Sequence, residues 1–251
     1  MSLLVQFLLR LVFGLALSMA ITSPRQVTSG YFRNHLYVTL GLASLAALLS
    51  QSLAMLSFWP AIAAIVFSYL GSACWLYEKT RSGRFFLGLV CLSGLVGIGF
   101  TFAWNQDSLS SLTSALMLLA PISSGLLLGF TMGAMLLGHW YLNSPTMELK
   151  PLRKLILAMG AAVSLQAILS VAGLWGEIIA TEHLTLQWIL FVVLRWTFGL
   201  LGVGTMTWMA WQTLNIPNTQ SATGILYVAV IGTFVGETMA LLLSSESLYP
   251  L

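Results

Sequence analysis

The chain has 251 residues, of which 58% are hydrophobic and only 7% are charged, and its formal net charge is +3. A soluble domain carries about 25% charged residues, so this chain cannot cover a water-facing surface. Its mean hydropathy of +0.92 predicts a protein whose solvent is mostly lipid. We therefore expect a lipid bilayer as its surroundings and no nucleic acid among its partners.

Eight apolar segments each supply the ~20 residues that a membrane-spanning helix needs. They indicate an all-α, polytopic helical bundle that forms a single transmembrane domain over residues 1–251. The first segment lacks the basic start of a signal peptide and contains Arg10, so we interpret it as a retained helix. The fifth is too long for an upright span, and we expect Pro121 to kink it or to start its main part. The predicted spans are 2–22, 32–51, 54–77, 83–104, 111–142, 151–180, 186–212 and 219–244.

The basic residues of the connections predict the orientation of the bundle. If the chain crosses the membrane eight times, all eight basic residues at the connections fall on one side. They are Arg25, Arg33, Lys79, Arg81, Arg84, Lys150, Arg153 and Lys154. Loops rich in Lys and Arg stay in the cytoplasm. The pattern therefore predicts a multi-pass protein of the cell inner (plasma) membrane with both termini outside, on the periplasmic side.

Three ionisable residues share one level inside the apolar spans near that outer side, Arg10, Arg195 and Glu237, and Glu177 near the outer end of the sixth span could join them. Counting from the helix ends at 1.5 Å per residue puts all three about 12 Å below the outer surface. Because isolated charges are costly in a membrane, we predict an intramembrane charge cluster in which Arg195 and Glu237 form a pair. The cluster is either a polar clasp between helices or a site for an anion, a propionate or phosphate group, or a quinone oxygen.

Two histidines share a second level near the basic side, His35 at the start of the second span and His139 at the end of the fifth. Two imidazoles on different helices are the minimum for a haem with two axial ligands. We therefore predict a cofactor site in which His35 and His139 hold the haem iron, with Arg33 and Gln220 close by. The alternative is that each imidazole only forms hydrogen bonds at the membrane interface.

Glycines spaced four apart, Gly125, Gly129 and Gly133, form one face of the fifth span. Such a face lets another helix backbone come close. It also offers room for a flat cofactor. The sequence leaves both uses of this face open.

Three functions fit these features, and whether the protein is an enzyme stays undecided. The leading hypothesis is a membrane subunit of an electron-transfer complex that binds haem b or quinone and contacts other subunits. A small-solute or lipid transporter is the first alternative and predicts a polar cavity that reaches the charge cluster. A structural or assembly protein without a ligand is the second, and it predicts a filled, dry core. The sequence contains no P-loop, GxSxG or HExxH motif, which argues against ATP-driven or hydrolytic chemistry.

Overall fold

The structure is a computed structural model. It describes residues 2–101, 111–144, 147–180, 185–216, 218–247 and 249–251. All regular structure in these ranges is helical, which confirms the predicted fold class. The eight helices are α1 Ser2–Ile21, α2 Ser29–Ser52, α3 Phe58–Leu76, α4 Thr80–Gly99, α5 Ser111–Asn143, α6 Lys150–Ala180, α7 Leu186–Thr213 and α8 Thr219–Glu246.

Seven of these eight helices are long and apolar enough to cross a membrane. The exception is α2, which has sufficient length but begins with the polar run Arg33, Asn34 and His35 and ends near Ser50 and Gln51. The prediction of eight apolar spans is thus confirmed for seven of them. Large side chains such as Trp59 and Ile179 are about 70% exposed, as expected where helices face lipid.

The connections that hold the basic residues meet at one end of the bundle, called the basic end here. Gln26, between α1 and α2, donates a hydrogen bond to the carboxylate of Glu148, between α5 and α6, at 2.9 Å. Lys154 donates to the Ile21 carbonyl at 3.1 Å. The end at which α1 begins and α8 ends is the far end. The assignment of the basic end to the cytoplasm remains a prediction.

Helix α1 is the centre of the bundle, because it packs against α2, α4 and α5 and also touches α8. Its backbone approaches that of α5 very closely at Gly14. A Cβ added to Gly14 would lie 1.8 Å from the Gly125 carbonyl oxygen, and one added to Gly129 would lie 1.9 Å from the Gly14 carbonyl carbon. Gly133 faces Ser18 in the same way. The glycine face of α5 therefore receives α1, which is one of the two uses that the sequence left open.

Helix α7 changes from α-helical to π-helical geometry over Arg195–Gly202 and then returns to α-helix. This wider turn brings Gly199 against α8, where an added Cβ would lie 2.6 Å from the Gly236 Cα. Single π-helical turns within α-helices are frequently found at functional sites. The residue that follows Gly236 in α8 is Glu237, so this close contact places the predicted charge cluster next to the π-helical turn.

Candidate ligand site between the helices

Arg10 and Glu237 meet through a serine in the interior of the bundle. The guanidinium Nη1 of Arg10 donates a hydrogen bond to Ser124 Oγ at 3.2 Å. Ser124 in turn donates its hydroxyl proton to Glu237 Oε2. All three side chains are buried. The structure therefore joins a cation of α1 to a carboxylate of α8 through a hydroxyl of α5.

Gln166 of α6 completes the network on the other side of the carboxylate. Its amide nitrogen donates to Glu237 Oε1 at 3.2 Å, and its amide oxygen accepts a hydrogen bond from Ser123. Both oxygens of Glu237 thus accept a hydrogen bond, and the network spans α1, α5, α6 and α8. Neither Ser124 nor Gln166 was among the predicted site residues, because a single neutral polar residue in an apolar span is a weak signal.

The predicted pair of Arg195 and Glu237 is not a direct ion pair, since these two side chains form no salt bridge within 4.0 Å. Arg195 Nε instead donates to Ser170 Oγ of α6 at 3.3 Å. Equal depth does not specify how α7 is rotated about its axis. It also does not reveal that Ser124 and Gln166 contact the two carboxylate oxygens of Glu237.

Two buried guanidinium nitrogens in this layer have no hydrogen-bond partner in the part of the chain that the structure describes. They are Arg10 Nε and Arg195 Nη1. A guanidinium group only donates hydrogen bonds, and leaving a buried donor unsatisfied costs about 1–3 kcal/mol. These two donors are therefore unfavourable buried groups of the charge cluster.

A cavity of about 300 Å³ reaches this network from the far end of the bundle. Glu237 lies at its deep end and Ser245 near its mouth, eight residues apart on α8, which corresponds to a depth of about 12 Å. Arg195 does not line it. A polar cavity of this kind is the feature expected of a ligand site or a transport path. Its polar wall is formed by Ser2, Gln6, Arg10, Thr101, Ser124, Gln166, Glu237, Ser244 and Ser245.

His35 is buried near the basic end and is held by its own helix. Its Nδ1 lies 2.6 Å from the Tyr31 carbonyl oxygen. The imidazole ring centre is 4.3 Å from that of Tyr31 and 6.2 Å from that of Trp140 on α5. The imidazole therefore sits in an aromatic environment between α2 and α5, with Nε2 as the ring nitrogen left for another partner.

His139 has different neighbours and is exposed. Its Nδ1 lies 3.3 Å from the Tyr227 hydroxyl of α8. The start of α8 does approach α5 here, because a Cβ added to Gly138 would lie 2.7 Å from Thr223 Oγ1. Gln220, by contrast, is exposed and Arg33 is half-buried.

The four residues of the predicted haem site thus lie in one region of the bundle, and within the described ranges no hydrogen bond or ring contact joins His35 to His139. Neither Arg33 nor Gln220 forms a hydrogen bond or ion pair with either histidine in the described ranges. The rings of the two histidines pack against different aromatic residues. A haem site at His35, His139, Arg33 and Gln220 stays a prediction.

Comparisons of this chain with protein-family models, with curated proteins and with solved structures find no match. The fold and the apolar helices define its class, a multi-pass helical membrane protein with a polar cavity among α1, α5, α6 and α8.

Proposed function

We propose that the protein is a membrane subunit of an electron-transfer complex and that its cavity binds the head of a quinone. The observation that carries the proposal is the convergence of Arg10, Ser124 and Glu237 at the deep end of a cavity within the bundle. The two carbonyl oxygens of a quinone are hydrogen-bond acceptors. Arg10 lines the cavity, and its guanidinium group can only donate hydrogen bonds, as such acceptors require.

The size and lining of the cavity suit such a head group. Small-molecule sites occupy about 300–1,000 Å³ and combine apolar walls with a few polar groups. At about 300 Å³ the cavity accommodates a ring but not a long isoprenoid tail, which would extend towards lipid. The ring would contact the apolar lining residues Leu3, Ala120, Pro121 and Leu241.

A bound quinone would supply two-electron, two-proton redox chemistry. In this site Arg10 would orient one carbonyl oxygen, and Glu237 would hold a proton next to it. Ser124 touches both residues and would keep them in register. The electrons would come from another subunit of the complex, which this proposal requires in the plasma membrane beside the present chain.

Binding of a short-tailed benzoquinone to the detergent-purified protein tests the proposal. We expect saturable binding, and we expect Arg10→Gln to weaken it at least tenfold, because a charged hydrogen bond contributes about 1.5–3 kcal/mol. Lys79→Gln is the matched control, since it removes an exposed cation at the basic end and should leave the dissociation constant unchanged. Equal affinity in all three proteins would contradict a quinone site at Arg10.

Transport of a small anion is the second candidate function. It is supported by the mouth of the cavity at the helix ends and by the excess positive charge of Arg10 and Arg195 over Glu237. The π-helical turn of α7 could serve as its hinge. Chloride flux into proteoliposomes would test it. Flux that Arg10→Gln abolishes, in a protein that binds no quinone, would favour transport over the redox function.

A haem b between His35 and His139 is the second form of the redox proposal. It is supported by the contact of His35 Nδ1 with the Tyr31 carbonyl, because a hydrogen bond at one ring nitrogen commonly orients the other towards a metal. The haem would supply one-electron transfer, and the two imidazoles would hold its iron. An absorption spectrum of the purified protein tests this form independently of the cavity.

A further inference from the structure

A second polar groove lies at the basic end, remote from the cavity at the far end. Its volume is about 600 Å³. It is formed where α1 ends, where the chain leads towards α2, and where α4 begins. Three arginines line it: Arg25 from the connection after α1, and Arg81 and Arg84 from the first turns of α4. The fold thus brings three cations from two distant parts of the sequence to one surface.

The three guanidinium groups have no protein partner in the described ranges. None of them forms a hydrogen bond or salt bridge with another described residue. Arg153 at the same end behaves differently, since it donates to the Leu214 carbonyl at 2.7 Å and lies over the Trp211 ring. Arg25, Arg81 and Arg84 thus keep all their donors available for a ligand.

Other charges near the groove leave it strongly positive. Glu78 lines the adjoining groove together with Arg25 and Thr80, so one carboxylate stands against three arginines. No side chain caps the start of α4, and the free N–H groups of a helix start add partial positive charge. The combined field favours an anion.

The chemistry of arginine and the position of the groove define the anion. Planar guanidinium groups bind phosphate oxygens in a bidentate manner. Phe85 forms part of the same wall and is 64% exposed. Leu92 and Val96 of α4 are also exposed, and their spacing of seven and eleven residues from Phe85 puts them on the same helix face. An apolar stripe therefore runs from the arginines along the lipid-facing surface of α4.

We propose that this groove binds the phosphate head group of an anionic glycerophospholipid, with an acyl chain along the Phe85, Leu92 and Val96 face. Basic pockets among membrane helices are suited to such head groups. A free phosphate ion would bind to the arginines but would not contact the apolar stripe. The inference does not depend on the function of the cavity.

Native mass spectrometry of the detergent-purified protein with phosphatidylglycerol tests the proposal, with phosphatidylcholine as the neutral lipid. We expect tighter binding of phosphatidylglycerol by the wild-type protein. The double variant R81Q/R84Q should lose at least tenfold in affinity for phosphatidylglycerol, because it removes the charge-assisted hydrogen bonds that two guanidinium groups donate to the phosphate. Both side chains are exposed, so their replacement leaves the core intact.

The matched control is K150Q/K154Q, which removes two positive charges from α6 at the same end of the bundle. It should retain the wild-type affinity for phosphatidylglycerol. Equal losses in the two double variants would mean that the basic end attracts anionic lipid only through its net charge, which would overturn a defined site. Displacement of the lipid by an equal concentration of inorganic phosphate would also overturn it, because the ligand would then be a free anion.

Discussion

Two levels of this bundle carry polar residues, and among the described residues a hydrogen-bond network that connects four helices is found at one of them. At the charge cluster, Arg10, Ser124, Gln166 and Glu237 form a continuous hydrogen-bond network across four helices. At the histidine level, His35 contacts Tyr31 and Trp140, whereas His139 contacts Tyr227.

The difference between the levels follows from helix packing. Helix α5 packs against α1, α6 and α8, so polar side chains that face the centre of this group meet. The side chains of His35 and His139 lie against different aromatic neighbours instead. Equal depth in a membrane is thus not enough for a direct contact, which also depends on which sides of the helices face each other.

The strongest test of this packing argument is Gly14→Leu. The added side chain would overlap the α5 backbone at Gly125 and Gly129, and we expect a loss of about 3 kcal/mol or more of stability, the upper range for overpacked cores. The readout is the fraction of protein that runs as a monodisperse peak in detergent. Gly88→Leu is the control, because no atom lies within 4 Å of a Cβ at that position. Equal yields of the two variants would contradict the close α1–α5 contact.

Ser124→Ala is expected to have an intermediate effect, because it removes the hydroxyl that joins Arg10 to Glu237. It leaves one buried oxygen and one buried N–H group without a partner, which costs about 1–3 kcal/mol. Denaturant titration in mixed micelles measures the change. In the control variant Ser164→Ala, the lost hydroxyl is exposed and bonds only to the Gly160 carbonyl of its own helix, so a change of similar size there would argue against a special role for Ser124.

The smallest expected effect is the coupling between the two histidines. If they occupy separate environments, the stability changes of His35→Ala and His139→Ala should add to within about 0.5 kcal/mol in the double variant, as for independent sites. Spectra of the same proteins, oxidised and reduced with dithionite, complete the test. A Soret band that is lost in either single variant would show that both histidines bind one haem. The histidine level would then also be a shared site.

Much of the helical framework could be predicted from the sequence. The predicted spans 111–142 and 219–244 differ from α5 and α8 by one and two residues at their ends. The span predicted at 54–77 begins too early, because Ala54 adopts a positive φ of 51° and the chain turns before α3 starts at Phe58. Helix α2 begins at Ser29, before its predicted span, because the prediction followed apolar residues and the first residues of this helix are not all apolar.

The charge cluster could be predicted only in part. Burying a charge in a membrane is costly, so Arg10, Arg195 and Glu237 could be recognised in the sequence as candidate site residues. Ser124 and Gln166 did not, because neutral polar residues carry a smaller cost. The helices are also apolar on nearly every side, so the hydrophobic pattern does not reveal which side faces inward. The hydrogen bond of Arg195 to Ser170 depends on that rotation and was therefore not predicted.

The most direct test of the central claim is photochemical labelling with a quinone that carries a photoreactive group on its ring. After irradiation of the purified protein, peptide mass spectrometry locates the attachment sites. The account predicts labels on the cavity wall, near Leu3 and Gln6 of α1 or near Leu241 of α8, and it predicts that excess unlabelled quinone suppresses them. Labelling confined to the region of His35 and Trp140, or labelling that unlabelled quinone does not suppress, would contradict a quinone site at Arg10 and Glu237.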